Sequence, residues 1–399
     1  MEKIDGELFS KDTIVATIKD GLVTVINKDL APICFKTGKD KYINKWLTHR
    51  AIDEHRTNSR LLKKALRLHD KDDISVVLFV NAATITDTYW FRQEGKNLTW
   101  DDVRFKENYF DQLALKGSFE GFEQTPSSTP EATNIGSFEK CWKQEDSSWW
   151  LYKTGTEREY FSELFVYKLG QKLGFDMAYY EMDDKYIRTR DFTNNGEYNL
   201  EHMSSLVGDN DAYDDSFEIL KGISEDLAKD YLKIIYMDTL CYNVDRHTEN
   251  YGILTDPDTG KIIKLAPNYD NNISLIARDY IKDPSLKNNH FVKMFVELLD
   301  KNKDAAKLFS EIKIPKVTKE MISECIQEIP IKINEQDVKY INNIVLNAQN
   351  IVLEAAEKAN ITVDRIIKNA DKNSEEKSTN TKKYKNKNKG NKKDDKEDR

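Results

Sequence analysis

Cysteine, proline and glycine are all sparse, at four, eight and sixteen residues in 399. The cysteines (Cys34, Cys141, Cys241 and Cys325) lie far apart, with no CxxC pair and no clustered Cys/His set. A disulfide framework and a structural zinc site are therefore excluded, and reduced thiols in a cytoplasmic protein fit best. There is no long hydrophobic run. The longest nearly apolar stretch, Val76 to Ala83, falls far short of the ~18 residues that cross a bilayer, and MEKIDGELFSKD at the start has no apolar signal core. Membrane association and secretion are not expected. A surplus of positive charge is also missing: the net charge of -8 argues against direct nucleic-acid binding through a basic surface.

What is present describes a folded chain. Hydrophobic residues make up 39% and aromatics 11%, too many for a wholly disordered polymer despite 33% charged residues. The charge is uneven. Residues 371–399 hold eleven basic and seven acidic side chains, one aromatic and no aliphatic, so this +4 end is expected to be a disordered tail while the body carries -12.

Composition divides the chain into four parts. Residues 1–120 read as an α+β module of unknown role, with a helix at 56–68 and a β-rich run at 74–80. The stretch Gly121–Gly136 reads as a loop or linker because hydroxyl residues and two prolines replace hydrophobic periodicity. From there to residue 190, strand signals at 147–153 and 177–190 flank a helix at 160–173 that Gly174 ends. Residues 191–368 are mainly helical, interrupted by a hairpin-like YGILTDPDTGKIIKLAP, and close on an amphipathic helix at 336–358. The charged tail, 369–399, follows. Asp209–Asp215 resembles the start of a calcium loop, but its sixth position is Asp214 where glycine is needed and its twelfth is Leu220 where glutamate is needed.

The segment with the most chemistry is NVDRHTEN, Asn243 to Asn250. Asp245 and Asn250 stand five residues apart, the spacing at which a phosphoryl-transfer loop places a carboxylate to orient an acceptor hydroxyl and an amide oxygen to hold magnesium. A hairpin after Asn250 returns the chain so that Asp270, in LAPNYD, is a second magnesium ligand. Upstream, Lys153 ends a β-like run and Glu163 lies in the next helix, where a lysine partner is expected. The order Lys, Glu, DRHxxN, Asp is that of a kinase.

These residues, with GSFEK at 136–140 and the helix ending LGQKLG, resemble the HipA-like family of bacterial serine/threonine protein kinases over about two-thirds of the chain. The resemblance implies a two-lobed kinase-like α+β fold, with a β-rich small lobe at 121–190 and a helical large lobe at 191–368. It implies a reaction in which the γ-phosphoryl group of ATP passes, with Mg2+, to a protein Ser or Thr. Asp245 is then the catalytic base, Asn250 and Asp270 hold the metal, Lys153 contacts the phosphates and Glu163 pairs with Lys153. Gly136 and Ser137 belong to the phosphate loop, though Glu139 stands at or beside the family's glutamine position. Arg190 and Phe192 fall where the hinge meets adenine. Thr133, three residues before Gly136, occupies the position of the family's autophosphorylated serine. A protein substrate, a helix-turn-helix antitoxin-like partner and a toxin role in a toxin–antitoxin pair are the settings the family suggests. A lipid or small-molecule kinase and a nucleotide-binding regulatory module with little catalysis are the rival readings.

Overall fold

The computed structural model describes residues 3–278, 280 and 289–360. The tail expected at 369–399, and the last few residues assigned to the helical part, lie outside the described residues.

Among the described residues, three antiparallel sheets and a set of helices make up an α+β fold. The first sheet belongs to the N-terminal module: β1 (Gly6–Ser10), β2 (Thr13–Lys19), β3 (Leu22–Val25) and β4 (Tyr89–Gln93), in the order β3-β2-β1-β4. Asp20 and Gly21 both have positive φ, the requirement of the tight turn that joins β2 to β3 with the correct strand twist. Leu8, Val15 and Phe91 of this sheet pack on Phe35, Ile43 and Leu47.

The run at 74–80, read from sequence as β-rich, is instead the helix Asp73–Phe79. Its N-cap Asp72 accepts a hydrogen bond from the Ser75 amide, and its valines are used at helical spacing. Val77 enters the core of the first sheet, while Val76 and Val80 face a second cluster with Leu62, Phe110 and Leu113. Two cores on opposite sides outweigh the intrinsic strand preference of β-branched residues.

The expected linker is also more structured than its composition suggests. Phe119–Phe122 and Pro130–Thr133 are 3-10 turns, and all four residues of the second are buried.

The second sheet consists of β5 (Lys140–Glu145), β6 (Ser148–Lys153), β7 (Tyr180–Asp183) and β8 (Tyr186–Arg190), ordered β5-β6-β8-β7. Between β6 and β7 runs the helix Glu157–Lys172, started by a capping box of Thr156 with Glu159. The third sheet, β9 (Asn199–His202), β10 (Gly252–Thr255) and β11 (Ile262–Leu265), contains the expected hairpin. At its tip Gly260 has φ +68, and a Cβ there would lie 1.8 Å from the Asp29 carbonyl, so only glycine lets this turn meet the N-terminal module.

The remaining helices, among them Glu225–Cys241, His290–Lys301, Lys303–Glu311, Lys319–Gln327 and 335–360, share the largest core. The last presents Ile341, Val345, Ala348 and Val352 to that core, as its periodicity requires.

Candidate active site

The helix Glu225–Cys241 ends in a left-handed cap at Tyr242, φ 50, which turns the chain into the Asn243–Asn250 loop. That loop is built on Arg246, whose side chain is 2% exposed. Its guanidinium grips Asp238 from two nitrogens, Nε to Oδ2 at 2.9 Å and Nη2 to Oδ1 at 3.0 Å. It also donates to the Asn250 carbonyl, to the Tyr269 carbonyl at 2.9 Å, and to the side-chain oxygens of Asn268 and Asn271. One buried cation therefore joins the 243–250 loop to residues 268–271. Asn250 donates its amide nitrogen to the Asp245 carbonyl at 2.8 Å, which turns its amide oxygen away and leaves it as the acceptor end. Among the described residues nothing hydrogen-bonds the Asp245 carboxylate. Burial raises its pKa above the usual aspartate range, and the nearby Asp270 charge adds to this against the opposing pull of His247.

Asp270 has φ +59, and its amide donates to the Tyr180 hydroxyl at 3.1 Å. Its carboxylate accepts from Lys153 Nζ at 2.7 Å. Burial alone would raise the Asp270 pKa, but Lys153 and then Lys140 outweigh it and hold the carboxylate ionised. The expected pairing of Lys153 with Glu163 is not the one formed. The two Glu163 oxygens accept from the Asn271 backbone amide at 3.0 and 2.9 Å, and Oε1 also accepts from the Asn271 side chain at 3.1 Å. Glu163 thus steadies the residue after Asp270, and Lys153, at the end of β6, reaches Asp270 itself. Burial raises the Glu163 pKa.

Across from these groups the 134–140 loop turns at Gly136, φ +101, where a Cβ would sit 2.4 Å from Lys140 Nζ. Glycine is what lets the lysine amine fold under its own loop. Lys140 is buried beside Lys153, and burial first, then that second cation, bring its pKa down to about 7.

Asp245, Asn250, Asp270, Lys153, Gly136, Ser137, Arg190, Phe192 and Thr133 all line one cleft of ≈ 280 Å³. Glu163 lies behind it. Arg190 donates to Ser148 Oγ at 2.9 Å, and the Phe192 ring packs 5.4 Å from Tyr269. Thr133 is buried, with its hydroxyl donating to the Ala83 carbonyl at 2.6 Å. Sequence reasoning missed Tyr180, which has no motif, and assigned no role to Arg246, whose pairing with the buried Asp238 joins the two loops. It also missed the wall that the N-terminal module supplies, where Ile85 packs on Trp142 and Trp149.

The donor set suits magnesium with phosphate better than a metal held by protein alone. Among the described residues no cluster of three or more His, Cys, Asp or Glu side chains could cage an ion. Asn250 and Asp270 offer the one or two oxygens that Mg2+ takes from protein when water and phosphate complete its shell.

A model of the HipA-like C-terminal domain matches residues 124–333, more than half of the chain. The chain belongs to that family. Among solved structures, HipA of Shewanella oneidensis MR-1, in a complex with HipB and operator DNA, superposes with a TM-score of 0.58 at 12% identity, covering 89% of this chain and 99% of that one. Such coverage must include most of residues 1–120, so the fold likeness extends into the N-terminal module of unknown role. The Helicobacter pylori proinflammatory kinase CtkA is similar over 56% of this chain and 95% of its own, at 17% identity and a TM-score of 0.45. No curated protein matches. Among the described residues no helix is long and apolar enough to cross a membrane, and the four cysteines are free and buried.

Proposed function

We propose that this member of the HipA-like family is a two-lobed, cytoplasmic, ATP- and Mg2+-dependent protein kinase that transfers the γ-phosphoryl group to a Ser or Thr hydroxyl. The observation that carries this reading is the convergence of Lys153, Asp245, Asn250 and Asp270 on one cleft, with no hydrogen bond to the Asp245 carboxylate among the described residues. Asp245 would accept a hydrogen bond from the acceptor hydroxyl, orient it and take its proton; a carboxylate pKa raised by burial brings the base nearer the operating pH. Lys153 and Lys140 place two amines where phosphate oxygens would lie. Asn250 and Asp270 would hold magnesium, which neutralises charge on the β- and γ-oxygens. Apolar Ile85 and Phe192 on the cleft wall suit a base ring, with Arg190 beside it. Catalysis in such a site is positioning and charge neutralisation, with no covalent step on the protein.

Thr133 is an autophosphorylation candidate only if the 134–140 loop swings out, because its hydroxyl is buried and bonded to Ala83. The fold shared with a HipA that was solved with HipB and operator DNA supports a helix-turn-helix antitoxin-like partner, and with it a toxin role. Incubation of the protein alone with radiolabelled ATP tests the kinase reading, with Asp245→Ala as control. Label on wild type and none on the variant is expected. Thermal stabilisation by nucleotide without any label would instead make the chain a nucleotide-binding regulator.

A further inference from the structure

The loop that carries Gly136 and Ser137 into the cleft is held from inside the family-matched region by Thr154, which donates to the Glu139 carbonyl at 2.8 Å, and also from outside it. Arg56 is 2% exposed and sends Nη1 to the Asn134 carbonyl and Nη2 to the Lys140 carbonyl, each at 2.7 Å. One planar guanidinium therefore bridges both ends of the loop. The buried Glu131 carboxylate lies 3.9 Å from it and is fixed in turn by the Trp142 amide and the side chains of Asn108 and Asn134. A second tie comes from the loop itself: Glu139 accepts from the Asn58 backbone amide at 3.1 Å. Between these ties the backbone amides of Gly136, Ser137 and Phe138 make no hydrogen bond to protein among the described residues. Unused amides around a left-handed glycine form a concavity suited to anionic oxygens.

A buried arginine spent on two backbone carbonyls costs desolvation that an apolar residue would avoid. What it secures is the height of the loop above Lys153 and Asp270. We propose that Arg56, seconded by Glu139, is a positioning residue that presets the phosphate loop, so that the N-terminal module governs affinity for the polyphosphate part of the nucleotide. This deepens the kinase reading and rests on it.

The test compares ATP with adenosine, since a preset loop acts on phosphates and a general loss of packing acts on both. Calorimetric titration of the full chain, wild type first, then Arg56→Lys and Glu139→Ala, is performed with MgCl2 present. ATP affinity should fall about tenfold in each variant, the scale of a lost hydrogen bond to a charged group, while adenosine stays within about twofold. Equal weakening of both ligands, or no change in either, overturns the proposal. Should Arg56→Lys fail to fold, Glu139→Ala decides by itself, because that side chain is only half-buried. A wild type that binds neither ligand removes the kinase reading and this inference together; a wild type that binds ATP with unaltered variants removes this inference alone.

Discussion

The two loops that face each other across the cleft are organised differently. The 243–250 loop draws its anchors from nearby chain: Arg246 reaches Asp238 eight residues back and Asn271 twenty-five residues on. The 134–140 loop has local ties to Glu131 and Thr154 and, in addition, ties to residues 78 to 84 positions upstream, in a different module. Both rest on a buried guanidinium that reaches backbone carbonyls, but Arg246 meets its carboxylate, Asp238, at 2.9 Å, whereas Arg56 stands 3.9 Å from Glu131. The 243–250 loop, which the N-terminal module meets at the His49–Glu249 pair, 3.5 Å apart at a partly exposed position, should therefore be the stiffer side of the site, and the 134–140 loop the more adjustable one.

The comparison is tested hardest at Arg246. Arg246→Met leaves Asp238 buried without its counter-charge, so the loss of stability should be about 3–5 kcal/mol, read as a lower midpoint in urea denaturation. A loss below about 1 kcal/mol, the scale of a surface pair, would show that the 243–250 loop is not anchored in this way. Next comes Asp245→Ala. Its carboxylate supports no other side chain among the described residues, so nucleotide binding and stability should stay close to wild type while turnover falls by at least ~10²-fold. Steady-state kinetics beside an ATP titration separates the two, and unchanged turnover would take Asp245 out of the base role.

The same contrast explains what was legible in the sequence. Asp245, Asn250 and Asp270 were readable because a short loop and a hairpin fix their separation, and hairpins return on themselves by local rules. Lys153 and the helix bearing Glu163 were readable from strand and capping signals. The partner of Glu163 was not, because one helix position can face either a lysine or a backbone amide depending on how the 268–271 turn lies. The helix at 73–79 was misread because its valines satisfy a strand rule locally, and only two distant cores decide for the helix. The burial of Thr129–Thr133 was hidden for a related reason: a Ser/Thr/Pro run looks like linker until Arg56, some seventy-five residues upstream, is known to pack beneath it. Across the chain, what depends on spacing within about thirty residues was visible, and what depends on the N-terminal module meeting the family domain was not.

The smallest effect concerns protons and again divides the two loops. Lys140 titrates near 7 in the free protein, since burial and Lys153 both disfavour its charge. Phosphate oxygens above the loop would favour the charged amine, so the complex keeps a proton that the free protein has lost and binding takes one up at neutral to alkaline pH. Affinity is then level below pH 7 and declines above it, by about fivefold between pH 7 and 8. ATP has its own ionisation in this range, which the ratio of wild type to Lys140→Arg cancels, as arginine stays charged throughout. The sign for folding is opposite. An amine whose pKa is depressed on folding binds more protons in the unfolded chain, so nucleotide-free protein should gain stability as pH rises from about 7 toward the ordinary lysine value. Affinity falling while stability rises over one pH window, with both trends absent in Lys140→Arg, would assign the titration to Lys140 in the 134–140 loop. A ratio that stays flat would place the Lys140 amine in contact with solvent and count against a preset loop.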